Sequence, residues 1–233
     1  MLHRSGRPPL LSSLFWALGI ALFFITFAIV FVLFFKPFYY LDISLMGLEK
    51  SSGRSYEQIR RSYDAIIRYF ALWNRAPLAI PDFAMSEHGR IHFEDCKRIF
   101  DAVQILCLGT GILSAVSYFR HRHGGNSVYL RLAGIFTILI PCALGICAAL
   151  NWNRTFTLFH QLFFRNNYWL FDPAADPVIY ILPDAFFLQC VVIILILVLA
   201  GGVFCLVRAG RRRRRVAAWQ SRRQKTHSRK KRG

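Results

Sequence analysis

Seven histidines carry most of the proton chemistry available to this 233-residue chain near neutral pH. His3, His121, His123 and His227 lie among arginines and read as solvated residues, whereas His88, His92 and His160 each lie near the start or end of a long apolar run. If the chain is helical from about Ser86, His88, His92 and Asp95 share one face at i, i+4 and i+7. Two histidines at that spacing beside a carboxylate could hold zinc, but no third His or Cys ligand stands close in sequence. The alternative for each is a histidine simply bonded to a carbonyl. No G-x-S-x-G elbow offers a nucleophile. The six cysteines include no C-x-x-C pair, and five fall in apolar runs, so they read as small buried residues without metal or redox work.

The elements that would have to position these histidines are long and apolar. Leu10–Phe35, Ala102–Phe119, Leu132–Trp152 and Ala185–Val207 each run without a charge. About 20 apolar residues at 1.5 Å rise cross a hydrocarbon core about 30 Å thick, so all four are expected to span a membrane. The first is too long for the core of a secretory signal and no A-x-A-like site follows, so it reads as an uncleaved span preceded by Arg4 and Arg7. The expected architecture is all-α and polytopic, with spans at about 10–35, 102–119, 132–152 and 185–207. Residues 1–208 form one four-helix membrane domain in this reading, and 209–233 a basic, disordered tail.

Charge then orients the chain. The composition is 55% hydrophobic and 18% charged, yet the net charge is +18. With four spans both termini share a side. The side holding the termini carries 18 Lys/Arg and no acid, while 36–101 and 153–184 hold the other 12 Lys/Arg and all 12 Asp/Glu. The positive-inside rule places the termini in the cytoplasm and those two segments outside. The polybasic end (Arg211–Arg215, Arg222, Arg223, Lys225, 229–232) is expected to sit on anionic headgroups rather than nucleic acid, because only Trp219 offers a stacking platform. Of the seven histidines, only His88, His92 and His160 face out.

Both outer segments read as membrane-surface helices. Ser55 with Gln58 is a capping-box pattern. Tyr56, Ile59, Tyr63, Ile66, Ile67 and Phe70 follow at helical spacing, with Arg60, Arg61, Asp64 and Arg68 between them. That face could lie in the headgroup layer or pack on the spans. The second segment, TFTLFHQLFFRNNYWLFDPAADPVIYILPD, surrounds His160, Arg165, Asn166, Asn167, Tyr168 and Trp169 with apolar residues. Its Asp172-Pro173 and Asp176-Pro177 steps mark turns or helix starts. Its Trp and Tyr also fit interfacial anchors.

Three stretches resemble one family: F-x-x-S-E-H-x-R-x-H-x-x-D-x-K at Phe83–Lys97, FHQLFF-x-N-x-x-W-x-FDP-x-x-D at Phe159–Asp176, and IYILPDAFF after it. With four spans in the same order, the chain is similar to the lipoprotein intramolecular transacylases of bacterial membranes. The likeness covers most of Leu10–Val207 and excludes the basic end; Asp184 stands where the family pattern leads one to expect Glu. The resemblance implies an acyltransferase of the bacterial cytoplasmic membrane acting on its extracytoplasmic face. Its substrate would be a lipoprotein whose N-terminal cysteine bears a diacylglyceryl thioether and a free α-amine. The sn-2 acyl chain would move to that amine, giving the N-acyl, S-monoacylglyceryl (lyso) form. By the same resemblance His92 and His160 are the catalytic pair. His160 would be base toward the amine, and His92 would orient the ester or protonate the leaving oxygen, or the roles would be exchanged.

Around that pair, Asp95 could fix the His92 tautomer, and Arg165, Asn167 and Tyr168 could donate to an oxyanion or headgroup. Glu87 and Arg90 could form an ion pair, and Trp169 and Asp176 complete the supporting set. No cofactor and no metal are implied, and a monomer is expected. Two other classes share the sequence features. One is a non-catalytic scaffold or transporter subunit, and the other a haem-binding four-helix membrane protein with His92 and His160 as axial ligands.

Overall fold

The structure, a computed structural model, describes residues 10–122 and 127–230, leaving out the side chains at 223, 225 and 227–230. The expectations on His3, Arg4, Arg7, His123 and 231–232 lie outside the described residues. Eight α-helices and one 3-10 turn are formed among those described, with no strand. In chain order they are α1 (Leu10–Phe34), α2 (Lys36–Leu45), α3 (Leu48–Ser52), α4 (Tyr56–Tyr69), α5 (Glu87–His121), α6 (Val128–Leu150), α7 (Trp152–Phe163), the turn Pro177–Tyr180, and α8 (Asp184–Lys230). Helices α1, α5, α6 and α8 are long and apolar enough to cross a membrane.

Contacts divide the chain into two compact units, where the sequence reads as one membrane domain. One gathers the chain up to Ile25, Leu108–Pro141 and the chain from Leu197; the other gathers Thr26–Cys107 and Cys142–Ile196. Each long helix therefore contributes one part to each unit.

The first unit is built from apolar helices brought close by small residues. Ala17, Ala133 and Cys205 are fully or almost fully buried beside Ile20 and Tyr129. A Cβ on Gly134 of α6 would stand 2.8 Å from the Gly202 carbonyl oxygen of α8, so the two helices touch through bare backbone. Arg212 donates from Nη1 to the Tyr129 hydroxyl at 3.0 Å. The basic stretch from 209, expected to be disordered, instead prolongs α8 to Lys230. Arginine, alanine and glutamine favour helix, and no Gly or Pro follows Gly210 within α8 to stop it.

The second unit carries the outer segments. The Ser55 capping box forms: Ser55 Oγ accepts from the Gln58 amide and the Gln58 side chain accepts from the Ser55 amide. The apolar face of α4 packs on protein rather than lipid. Ile59, Tyr63, Ile66 and Phe70 are buried with Tyr39 and Ile43 of α2, Val178 of the 3-10 turn and Ile181 just after it, and Phe186 of α8. Tyr39 and Tyr63 stack at 3.6 Å, and the Tyr39 hydroxyl donates to the Ile181 carbonyl at 2.7 Å. Burial pushes both tyrosines well above the ordinary phenol range, so they stay neutral. Lys36 and the Tyr40 hydroxyl converge on Asp64, at 2.7 and 2.6 Å, fixing α2 to α4. Helix α7 presents apolar side chains outward: Leu158, Phe159, Leu162 and Phe163 are exposed. In a membrane protein such a face is suited to the bilayer surface.

Candidate active site

His88, His92 and His160 all lie in the second unit, where His92 and His160 come together. His88 and His92 lie in the first two turns of α5, a helix that begins at Glu87 and runs unbroken into the apolar stretch from Ala102. Ser86 starts it: its Oγ accepts from the Gly89 amide at 3.0 Å and its carbonyl from the Arg90 amide at 2.9 Å. His160 comes from α7, whose N-cap Asn151 accepts from the Arg154 amide at 2.9 Å. Amphipathic α7 turns its apolar residues outward and His160 inward, leaving it 8% exposed; His92 is 9% exposed.

The two buried imidazoles lie with ring centroids 6.0 Å apart and planes tilted by 32°. Aromatic rings enclose them. Phe164 lies 4.8 Å from His92 and 5.5 Å from His160; Phe156 lies 4.2 Å from His160, and Trp169 stacks on it at 4.6 Å. Phe171 meets His92 edge-on at 5.4 Å.

The two rings differ in their hydrogen bonds. His160 Nδ1 lies 2.7 Å from the Phe156 carbonyl oxygen. A carbonyl only accepts, so Nδ1 carries the proton and Nε2 holds a lone pair. Burial lowers the pKa of His160 below its ordinary 6.5, opposed by the Phe156 carbonyl, so the neutral imidazole prevails at neutral pH. His92 Nε2 lies 3.5 Å from Cys96 Sγ, one turn further along α5. Its Nδ1 is buried and meets no partner among the described residues. The Trp169 indole N–H is likewise buried and unpartnered there.

Several expected supporting roles change. Asp95 does not touch the His92 ring: its Oδ1 accepts from Arg98 at 2.9 Å and its Oδ2 from Asn166 Nδ2 at 3.0 Å. Three residues on, its side chain turns to the flank of α5 that His92 does not share. Cys96, at i+4 from His92, is the neighbour the spacing itself offered. Arg165 and Asn167 are exposed and offer no bond to either buried histidine, while Asn166 makes the cross-link to α5. Tyr168 stacks on His88 at 4.2 Å and 15°, instead of approaching the buried pair. Glu87 and Arg90 are joined, Arg90 Nε donating to Glu87 Oε2 at 2.9 Å, and Arg90 also reaches Glu94. Asp176 is 3% exposed and binds Ser86. The sequence reading gave no site role to Cys96, Asn166, Ser86, Phe156, Phe164 or Phe171. Only Cys96 and Ser86, by helical spacing and capping chemistry, left a local signal.

Comparisons with known proteins point one way. The family model described as lipoprotein intramolecular transacylase matches residues 14–187. A solved structure of the membrane-integral lipoprotein intramolecular transacylase Lit from Bacillus cereus is 31% identical, with a TM-score of 0.86, and the match covers 89% of this chain and 97% of that one. Two further structures of that protein each carry one substituted histidine, by Arg in one and Ala in the other. They match at 30% identity over 89% of this chain, with TM-scores of 0.80 and 0.81 and cover of 93% and 94% of theirs. No curated protein sequence matches.

Proposed function

The chain belongs to the lipoprotein intramolecular transacylase family, membrane-integral transferases, and from that premise we propose that it moves the sn-2 acyl chain of an S-diacylglyceryl lipoprotein to the α-amine of the lipoprotein's N-terminal cysteine. Family membership favours transfer over the scaffold and haem-protein readings. The observation that carries the mechanism is the His160 tautomer: with Nδ1–H held by the Phe156 carbonyl, Nε2 is free to take a proton.

In this reading the substrate supplies both nucleophile and electrophile. The α-amine attacks the sn-2 carbonyl carbon, forming the C–N bond. As it does so its N–H turns acidic, and His160 Nε2 removes that proton. The C–O bond to glycerol then breaks, and the proton ends on the glyceryl oxygen, returning His160 to its neutral form. His92, with an open Nδ1 and with Nε2 against Cys96, orients the ester and serves the leaving oxygen. The protein's contribution is largely positional, since an oriented intramolecular amine reaches effective molarities of about 10⁵ M or more. The enclosing phenylalanines strengthen every polar interaction by keeping the site apolar.

The same reading places the site on the extracytoplasmic face, with both termini cytoplasmic and the basic end of α8 toward anionic lipid. The test is expression in a bacterium that makes diacylated lipoproteins, followed by mass spectrometry of a lipoprotein N-terminal peptide. Wild type should give a peptide of unchanged mass whose fragments carry one acyl chain on nitrogen. His160→Ala and His92→Ala should each abolish it, at a cost of about 10²-fold or more. A diacylglyceryl peptide left unchanged by well-expressed wild type refutes the reading.

A further inference from the structure

The loop between α7 and the Pro177–Tyr180 turn lays one aromatic ring against each outer histidine. Tyr168 stacks on His88, Trp169 stacks on His160 at 29°, and Phe171 stands edge-on to His92 at 82°. Two polar latches tie this loop to α5. At one end Asn166 Nδ2 donates to Asp95 Oδ2, while Asn166 Oδ1 accepts from the Tyr168 amide at 3.1 Å. At the other, buried Asp176 commits both carboxylate oxygens to Ser86. Oδ1 accepts from its amide at 2.7 Å and Oδ2 from its hydroxyl at 2.6 Å. A Cβ on Gly89 would stand 2.3 Å from Asp176 Oδ1, so the second latch requires glycine there. Asp95 and Ser86 lie roughly 13 Å apart along the helix at 1.5 Å per residue. The loop is thus a strap, fastened at both ends, that runs back along α5 over the histidines.

A neutral His160 that takes the proton of an attacking amine can also take one from an attacking water, and water, though the weaker nucleophile, is far more abundant. If water attacks the sn-2 carbonyl, its oxygen bonds to carbon and the C–O bond to glycerol breaks. The proton taken by His160 passes to the glyceryl oxygen. The products are then a free fatty acid and an S-monoacylglyceryl lipoprotein whose amine is still free. Transfer to nitrogen releases no fatty acid. The base serves either acceptor, so beyond the amine's own nucleophilicity the choice falls to whatever keeps water from His160 and holds the amine near.

We propose that the strap Asn166–Asp176 selects nitrogen over water as the acyl acceptor, with Trp169 as the screen over His160 and Asn166 and Asp176 as positioning residues. This rests on the acyl-transfer reading above. The aromatic rings alone would fit simple packing. What points further is that both latches join this loop to the helix that carries His88 and His92, one at each end of the loop, and that the strap covers the histidines and not the outward face of α7.

The test uses the full chain in detergent micelles with a diacylglyceryl lipopeptide labelled in its sn-2 chain, and measures N-acyl peptide and free fatty acid in one reaction. The ratio of the two products does not depend on how much enzyme is folded. Wild type should release almost no free acid. Trp169→Ala, Asn166→Ala and Asp176→Asn should each raise the free-acid share about tenfold or more, as expected when water enters a closed acyl-transfer site. Trp169→Phe, which keeps a ring, should retain the wild-type ratio. Asn166→Ala removes only two part-buried hydrogen bonds, to Asp95 and from the Tyr168 amide, so it reports even where Asp176→Asn does not fold. Variants that lose rate while the ratio stays at the wild-type value overturn the strap and leave the transfer reading standing. Wild type that yields neither product, or free acid alone, overturns the transfer reading itself.

Discussion

A histidine works as a base at neutral pH only if it is neutral and has the right nitrogen free. Both conditions are met at His160 by its surroundings: burial disfavours the imidazolium, and the Phe156 carbonyl claims Nδ1–H. The shift is downward, so the ring protonates only as pH falls through a value below 6.5, and Nε2 keeps its lone pair above that. An NMR titration of the detergent-solubilised protein, with His160 assigned by its loss in His160→Gln, should therefore give a midpoint under 6.5. A midpoint at or above 6.5 would remove the base from its role. At this scale the sequence showed which histidines share apolar surroundings but not what each ring touches. Asp95 and Cys96 are both within a turn of His92. Side-chain direction, together with the capture of Asp95 by Arg98 and Asn166, decides that the thiol is the neighbour.

Among the elements, uncharged apolar runs identified the long helices and a 3.6-residue period with a Ser-x-x-Gln cap identified α4, because run length, period and cap are local signals. The period did not say whether α4 faces lipid or protein. An amphipathic face fits either solvent, and the burial of Ile59, Tyr63 and Ile66 against α2 and the 3-10 turn settles it for protein. Close approach of spans is a second property invisible in composition. Gly134 and Gly109 are both glycines in apolar helices, yet a Cβ on Gly134 would meet Leu206 at 2.7 Å and the Gly202 carbonyl, whereas one on Gly109 would meet nothing within 4 Å. Gly134→Ala should accordingly destabilise by about 1–3 kcal/mol through overpacking. Gly109→Ala should be neutral or stabilising by about 0.5–1 kcal/mol, since glycine weakens a helix interior. Thermal unfolding in detergent separates the two, and equal Tm values would contradict the α6–α8 contact.

For the whole molecule, charge is the guide. The polar segments on one side sum to zero, and those on the other hold all of the net +18. The expected orientation follows from that division: Glu57 outside, Ser221 inside. In a chain stripped of its six cysteines, a membrane-impermeant maleimide applied to intact cells should label Glu57→Cys and spare Ser221→Cys; the reverse pattern would invert the topology. Length, apolar runs and charge asymmetry are properties of the chain itself. They point to the all-helical class and to four helices long and apolar enough to cross a membrane, because the bilayer sorts residues by solvation whatever their partners. The tertiary structure alone brought α7 against α5, 68 residues apart at His92 and His160, and chose Asn166 over Asn167 and Cys96 over Asp95. The capture of Asp95 by Asn166 and the pairing of His92 with His160 depend on directional contacts between segments distant in sequence, and no local pattern of residue types encodes such a contact.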